Sequence, residues 1–180
     1  MPSPLLPGTA RAADLNPSLN LRAPALGALG LLPAGLMPEE VAQVMQEYLQ
    51  WADGPPPWGR WFDKAESVTL AGAAARTPVT GFRIPDGFLG LLRFFANNTQ
   101  SASDITSVTF ALEVDGSPIV GYSSIVGRKA PAISAPDPLI LPLMGGQRVI
   151  VVATNATAAA IQGVSARLKG WYWPRAAART

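Results

Sequence analysis

The side chains able to do chemistry in this chain are few, and the missing types carry as much information as those present. The 180 residues contain no histidine and no cysteine. Acid–base and nucleophilic work would fall to carboxylates, lysines, tyrosines and hydroxyls, and a metal would find only oxygen ligands. Ser-His-Asp and Cys-His triads, thiol redox chemistry and the usual zinc sites are excluded, because each needs an imidazole or a thiolate. Glu113 and Asp115 are two apart, so on a strand both would face the same way. A glycosidase pair needs one carboxyl group in a cleft that raises its pKa. These two instead flank Asp115-Gly116, a tight-turn signal, and are expected at an exposed hairpin tip where Asp115 does turn chemistry. Asp53, Asp63 and Glu66 could offer oxygens to calcium, but no Asp-x-Asp-x-Asp-Gly spacing occurs. Of the three lysines, Lys64, Lys129 and Lys169, none stands in a phosphate-binding loop, since Gly145-Gly146-Gln147-Arg148 precedes a strand pattern rather than a helix. The expectation is a protein that is not an enzyme, with no catalytic residues, cofactor or metal.

Aromatic and basic residues are the next candidates. Arg167 to Arg179 interleaves cations with Trp171, Tyr172 and Trp173, the pattern of a nucleic-acid contact made by phosphate neutralisation and stacking. Four cations in that stretch are too few for a dedicated basic stripe, and Trp171 and Trp173 alternate as one face of a strand. Core or interface packing is therefore the expectation, and direct nucleic-acid contact is disfavoured. The tryptophans fall in two clusters, Trp51, Trp58 and Trp61, then Trp171 and Trp173. That distribution fits a Trp-rich connector docked on the last strand better than a sugar platform, which also needs polar groups between its rings. Asn97-Asn98-Thr99 and Asn155-Ala156-Thr157 match the glycosylation acceptor pattern at places where strands should end.

Composition sets these residues in context. Charged residues make up 14% of the chain, against about 25% in typical soluble domains. No unbroken apolar run is long enough to span a membrane. A low-charge, apolar chain of this size covers its excess apolar surface with a partner, which points to a subunit of an assembly. Residues 1–66 carry four basic and seven acidic residues, and residues 67–180 carry ten and five, an asymmetry that suits head-to-tail contact.

Four segments follow. Residues 1–37 form an extended N-terminal arm: with Pro38 the segment holds seven prolines and only three charges, Arg11, Asp14 and Arg22. Proline at that density blocks helix and central strand. The arm's apolar positions Leu26, Leu29, Leu31, Leu32 and Leu36 are interface candidates, as are Trp58, Trp61, Trp171 and Trp173. A secretion signal is disfavoured, because the apolar run after Arg22 begins late and lacks a clear cleavage context. Residues 38–65 hold a short helix over 38–52 and the Trp-rich connector. Pro38, Glu39 and Glu40 suit its first turn, Val41, Val44, Met45 and Tyr48 give the helical period, and Asp53-Gly54 stops it.

Residues 66–174 read as all-β, and 175–180 as a tail. Strands are expected at 67–74, 79–84, 88–96, 105–114, 118–125, 139–143, 147–154 and 161–173, punctuated by Gly, Pro, Asn and Asp turns. Pro85 to Asn97 spans 12 positions and Pro142 to Asn155 spans 13, each a Pro/Gly turn, an apolar strand and a terminal Asn. Left-handed geometry at the two asparagines would end these strands. Two related halves of four strands are what a jelly roll gives, so the fold class is mainly β: an eight-stranded antiparallel sandwich, jelly roll first, after an extended arm and one helix.

The run Phe82-Arg-Ile-Pro-Asp-Gly-Phe-Leu-Gly-Leu-Leu-Arg93, with Val108–Gly116, Gly121-Tyr122, Val149–Val152 and Gly170-Trp-Tyr-Trp-Pro174, resembles small jelly-roll structural proteins of tailed bacteriophage virions: capsid decorations, head fibres, neck and tail pieces. The resemblance covers residues 80–174. It implies a virion location, repeated copies in a homo-oligomer, contacts with other virion proteins, no membrane and no turnover. The competing expectation is a carbohydrate-binding, receptor-binding β-sandwich module, with a glycoside-active enzyme a distant third.

Overall fold

A computed structural model describes residues 38–100, 106–127 and 137–175. The expected arm and the five leucines named on it lie outside the described residues. The chain parts into two compact units, residues 1–49 and 50–180. α1 runs Pro38–Gln50, all but its last residue in the first unit, with Val44 and Tyr48 buried one turn apart and Ala42, Gln43, Gln46 and Leu49 exposed. No helix among the described residues is long and apolar enough to cross a membrane.

The second unit is the β-body. Its strands are β1 (Arg60–Leu70), β2 (Thr77–Arg83), β3 (Phe88–Asn98), β4 (Val108–Val114), β5 (Ser117–Pro118), β6 (Ile125–Val126), β7 (Asp137–Met144), β8 (Arg148–Asn155) and β9 (Ile161–Pro174). One sheet has the order β1-β9-β3-β7 and the other β2-β8-β4-β5, with β6 also on β4. All pairs are antiparallel. The rungs β1–β9, β2–β8 and β3–β7, with β4 closed on the 117–126 segment, form one folded-back ribbon wrapped into two sheets. That is a jelly roll.

The core lies between the sheets. Register puts Phe62, Val164, Ala166, Leu168 and Leu92 on the inner face of the first sheet, against Phe82, Phe110, Leu112, Val149 and Val151 of the second. Phe62 and Phe82 stack across the gap at 4.3 Å with ring planes 8° apart. Full burial of a side chain such as Phe62 is worth about 1.5–3 kcal/mol, and Phe82 is half-buried. The Asp115-Gly116 hairpin forms as its sequence predicts, with φ of 51° and 82° at its two central residues.

Three local expectations need correction. β1 begins at Arg60, inside the stretch expected as a connector. The 118–125 strand is two short pieces, β5 and β6, separated by a turn in which Tyr122 N–H donates to Ile119 O. Gly121, at φ 83°, makes that turn and takes the segment off the ladder. Finally, neither Asn97 nor Asn155 has a positive φ. Both are buried and bond through their side chains instead: Asn97, which β3 passes by one residue, donates from Nδ2 to Val126 O, and Asn155, the last residue of β8, makes the larger set described below.

Candidate functional site

The outer face of the β2-β8-β4 sheet carries a cavity of about 240 Å³. Alternation along β4 turns Phe110 and Leu112 inward and sends Thr109, Ala111 and Glu113 outward. Val152 and Thr154 of β8 stand beside Ala111 and Thr109 and complete the floor. The 116–123 segment, folded back so that Leu112 N–H donates to Tyr122 O and Ile119 N–H to Leu112 O, forms one wall with Gly116, Pro118 and Ser123. Arg76, from the β1–β2 connection, closes the rim.

Glu113 is the unusual residue. Expected at an exposed tip, it is only 3% exposed, because the folded-back 117–126 segment covers the strand edge beside it. Its Oε2 accepts from Arg76 Nη2 at 2.5 Å. Arg76 is itself 63% exposed and has a φ of 36°. A buried carboxylate without a partner is costly, and Arg76 supplies that partner. Asp115 does turn work, accepting from Arg148 N–H at 2.9 Å, and its left-handed backbone separates it from Glu113. The two carboxylates thus have separate partners, Arg76 for Glu113 and the Arg148 N–H for Asp115.

A second polar surface lies on the outer face of the first sheet. Cross-strand pairing sets Trp61 beside Trp171 and Asp63 beside Lys169. Trp61 is 55% exposed, meets Trp171 edge-on at 4.9 Å and carries the Lys169 ammonium 5.5 Å from its ring centre. Arg167 grips Asp63 with two bonds, Nε to Oδ1 at 2.7 Å and Nη2 to Oδ2 at 2.6 Å. These bonds hold the Asp63 carboxyl below its usual pKa, with partial burial opposing and the Arg167 and Lys169 charges assisting. They also raise Arg167. A depressed carboxyl pKa stabilises the fold above the unfolded value and loses that contribution as pH falls through the folded value. Urea titrations should therefore show Asp63→Asn weaker than wild type at neutral pH by less than about 1 kcal/mol, since the pair is exposed. The difference should begin to shrink as the pH falls below roughly 4 and vanish only once it has passed below the folded value.

The tryptophans divide by position. Trp58 and Trp61 are exposed, whereas Trp171 and Trp173 are buried, at 2% and 0%. Of the core or interface packing expected for the last two, the body shows buried indoles. The cause on the 171 side is plain, since Trp171 Nε1 donates to Trp51 O at 3.0 Å and its edge lies under Trp61. Trp51 in turn meets Trp58 edge-on at 5.8 Å.

The two acceptor patterns are also settled by burial. Asn97 and Asn155 are each 2% exposed, with side-chain amides committed to internal hydrogen bonds, so neither can be modified in the folded body. Among the described residues, no three carboxylates gather as a metal site would require.

Arg76, Thr109, Ser123 and Thr154 are site residues that sequence reading misses. Thr109-x-Ala111-x-Glu113 carried a signal, two polar groups on the outward face of an apolar strand. Arg76 carried none, being 37 positions from its partner and joined to it only by the β2-β8-β4 order.

No protein-family model matches the chain, and no curated protein matches its sequence. Among solved structures the chain is similar to a family 35 carbohydrate binding module from Clostridium thermocellum, at 16% identity and a TM-score of 0.30, over 65% of this chain and 92% of the module.

Proposed function

We propose that this chain is a non-catalytic structural subunit of a tailed-bacteriophage virion, present in several copies and joined to its neighbours through the apolar arm and the β-body. The observation that carries the reading is the jelly-roll strand order, the fold expected from the resemblance of residues 80–174 to virion jelly rolls. The mechanism is burial of surface between copies: an arm tethered to the body contacts a neighbour at high effective concentration, so modest contacts sum to a stable lattice. Glu113 and Asp115, two apart in the sequence, are held in an ion pair and a turn, which leaves the body to act through its surfaces. Light scattering of the full chain should give a mass of several subunits. Replacing Leu26, Leu29, Leu31, Leu32 and Leu36 together with serine should shift it to the monomer while the far-ultraviolet spectrum stays unchanged. A full chain that is monomeric at assembly concentrations, or a five-serine variant that assembles normally, would rule the reading out.

One observation favours a second reading, a carbohydrate-binding module. Trp61 exposes half of its indole within a row of hydrogen-bonding groups, Asp63, Arg167 and Lys169. A sugar could stack on that ring by moving the Lys169 ammonium aside. Tryptophan fluorescence should then respond to oligosaccharides in wild type and not in Trp61→Ala.

A further inference from the structure

The cavity over the β2-β8-β4 sheet has a polar lining that neither reading uses. We infer that it is a binding site for one neutral, polyhydroxylated ring, a single hexose unit, held between Glu113 and Arg76. It owes nothing to the assembly reading, and it shares the sugar class with the second reading but lies on the opposite sheet from Trp61.

Size comes first. About 240 Å³ is below the 300–1,000 Å³ typical of drug-sized sites, so the cavity suits one ring and not a chain. Its lining is mixed in kind. Ala111, Val152 and Pro118 give an apolar floor and wall, while Thr109, Ser123 and Thr154 bring hydroxyls that both donate and accept. A pyranose has the same composition, with C–H faces and a rim of hydroxyls that donate and accept. The two charged groups sum to zero, which selects against a net anion or cation.

The ion pair decides between a polyol and a zwitterion. An amino acid would bring an ammonium to Glu113 and a carboxylate to Arg76, and would have to break the existing 2.5 Å bond to insert. A hydroxylated ring need break nothing. Glu113 Oε2 is engaged by Arg76, leaving Oε1 to accept from a hydroxyl, and a guanidinium has five N–H donors of which one meets Glu113. Adjacent hydroxyls can thus bridge the pair from the open side. Such charge-assisted bonds are the stronger kind, and the buried carboxylate is already desolvated. Arg76 sits where a rim residue should, mostly exposed, with its backbone in the left-handed region that non-glycine residues enter at a cost.

The test is two-dimensional NMR of the full chain titrated with free monosaccharides: neutral hexoses, an N-acetylhexosamine and a hexuronate, with free amino acids as the comparison. A neutral hexose should shift the amides of Thr109, Ala111, Glu113 and Ser123. Ala111→Leu fills the floor without touching the ion pair and should abolish the shifts in a protein whose spectrum is otherwise dispersed as in wild type. Glu113→Gln should weaken binding at least about tenfold. Trp61→Ala should leave it unchanged, which separates this site from the surface of the second reading. The proposal is overturned if no neutral monosaccharide moves these amides, if Ala111→Leu binds as wild type does, or if amino acids bind in preference to sugars.

Discussion

Gly170→Ala should cost the body about 3 kcal/mol or more and lower its melting temperature by roughly 10 °C. Gly170 lies on β9, the strand that pairs with both β1 and β3. A Cβ at this position would fall well inside van der Waals contact of the Leu91 carbonyl oxygen and 2.8 Å from Phe62 Cζ. Neither neighbour can yield easily. The Leu91 carbonyl is part of β3, whose spacing from β9 is set by their shared hydrogen bonds, and the Phe62 ring is stacked on Phe82 of the opposite sheet. The methyl group must therefore spread two strands or break an aromatic stack in the centre of the sandwich. Gly54→Ala is the matched control: nothing lies within 4 Å of its Cβ position, and its effect should stay within about 0.5 kcal/mol. Equal thermal midpoints for the two variants would mean that the sheet yields where this packing says it cannot.

Asn155→Asp should be comparably severe although it alters a single atom. Asn155 Nδ2 donates to Ala71 O and Ala159 O, both at 2.8 Å, while Oδ1 accepts from Thr157 N–H at 2.9 Å and Thr157 Oγ1 at 2.8 Å. One buried side chain thus ties the β1–β2 connection to the β8–β9 connection. Aspartate keeps the acceptor side but turns an oxygen towards two carbonyl oxygens and brings a buried negative charge. The expected loss at neutral pH is about 3 kcal/mol or more, against about 2 kcal/mol for Asn155→Ala, which removes the same hydrogen bonds without adding a charge, the Ala71 and Ala159 carbonyls keeping Ala74 N–H and Thr157 Oγ1 as donors. Placed among carbonyls, the new carboxyl would have a pKa raised above its unfolded value. Its deficit should accordingly narrow as the pH falls towards about 4, whereas the deficit of the alanine variant should not move. Urea unfolding at several pH values measures both, and parallel pH profiles would contradict the hydrogen-bond assignment.

The jelly roll was legible in the sequence because its signals are local: Asp115-Gly116 demands a hairpin, and Phe110-x-Leu112-x-Val114 and Val149-x-Val151-x-Ala153 alternate as half-buried strands. β1 was cut short by reading because Trp58, Trp61 and Phe62 look like a connector clamped onto the body, and Asp63, Lys64 and Glu66 give the strand no apolar alternation. Those charges belong to an edge strand, where exposed ionic groups discourage pairing with another chain. The cavity was legible only in part. The outward face of β4 shows in its alternation, but the burial of Glu113 depends on the 117–126 segment folding back, and that follows from Gly121 rather than from any apolar pattern. Trp171 and Trp173 mislead in the other direction. Register places them beside Leu91 and Leu89 on the outward side of their sheet, and yet they are buried, so period-two alternation alone misassigns them.

The clasp between β1 and β9 has a mechanical consequence. Arg60 pairs with Tyr172, so the chain enters and leaves the body at the same end of one antiparallel ladder. Tension applied between the two tails would act across that ladder's first rungs and open them one after another, like a zipper, instead of loading all rungs together in shear. The body should yield at low force when pulled by its tails, however high its melting temperature. Attachment through a tail and a point on the far edge, such as β7, would spread the same load over many hydrogen bonds at once.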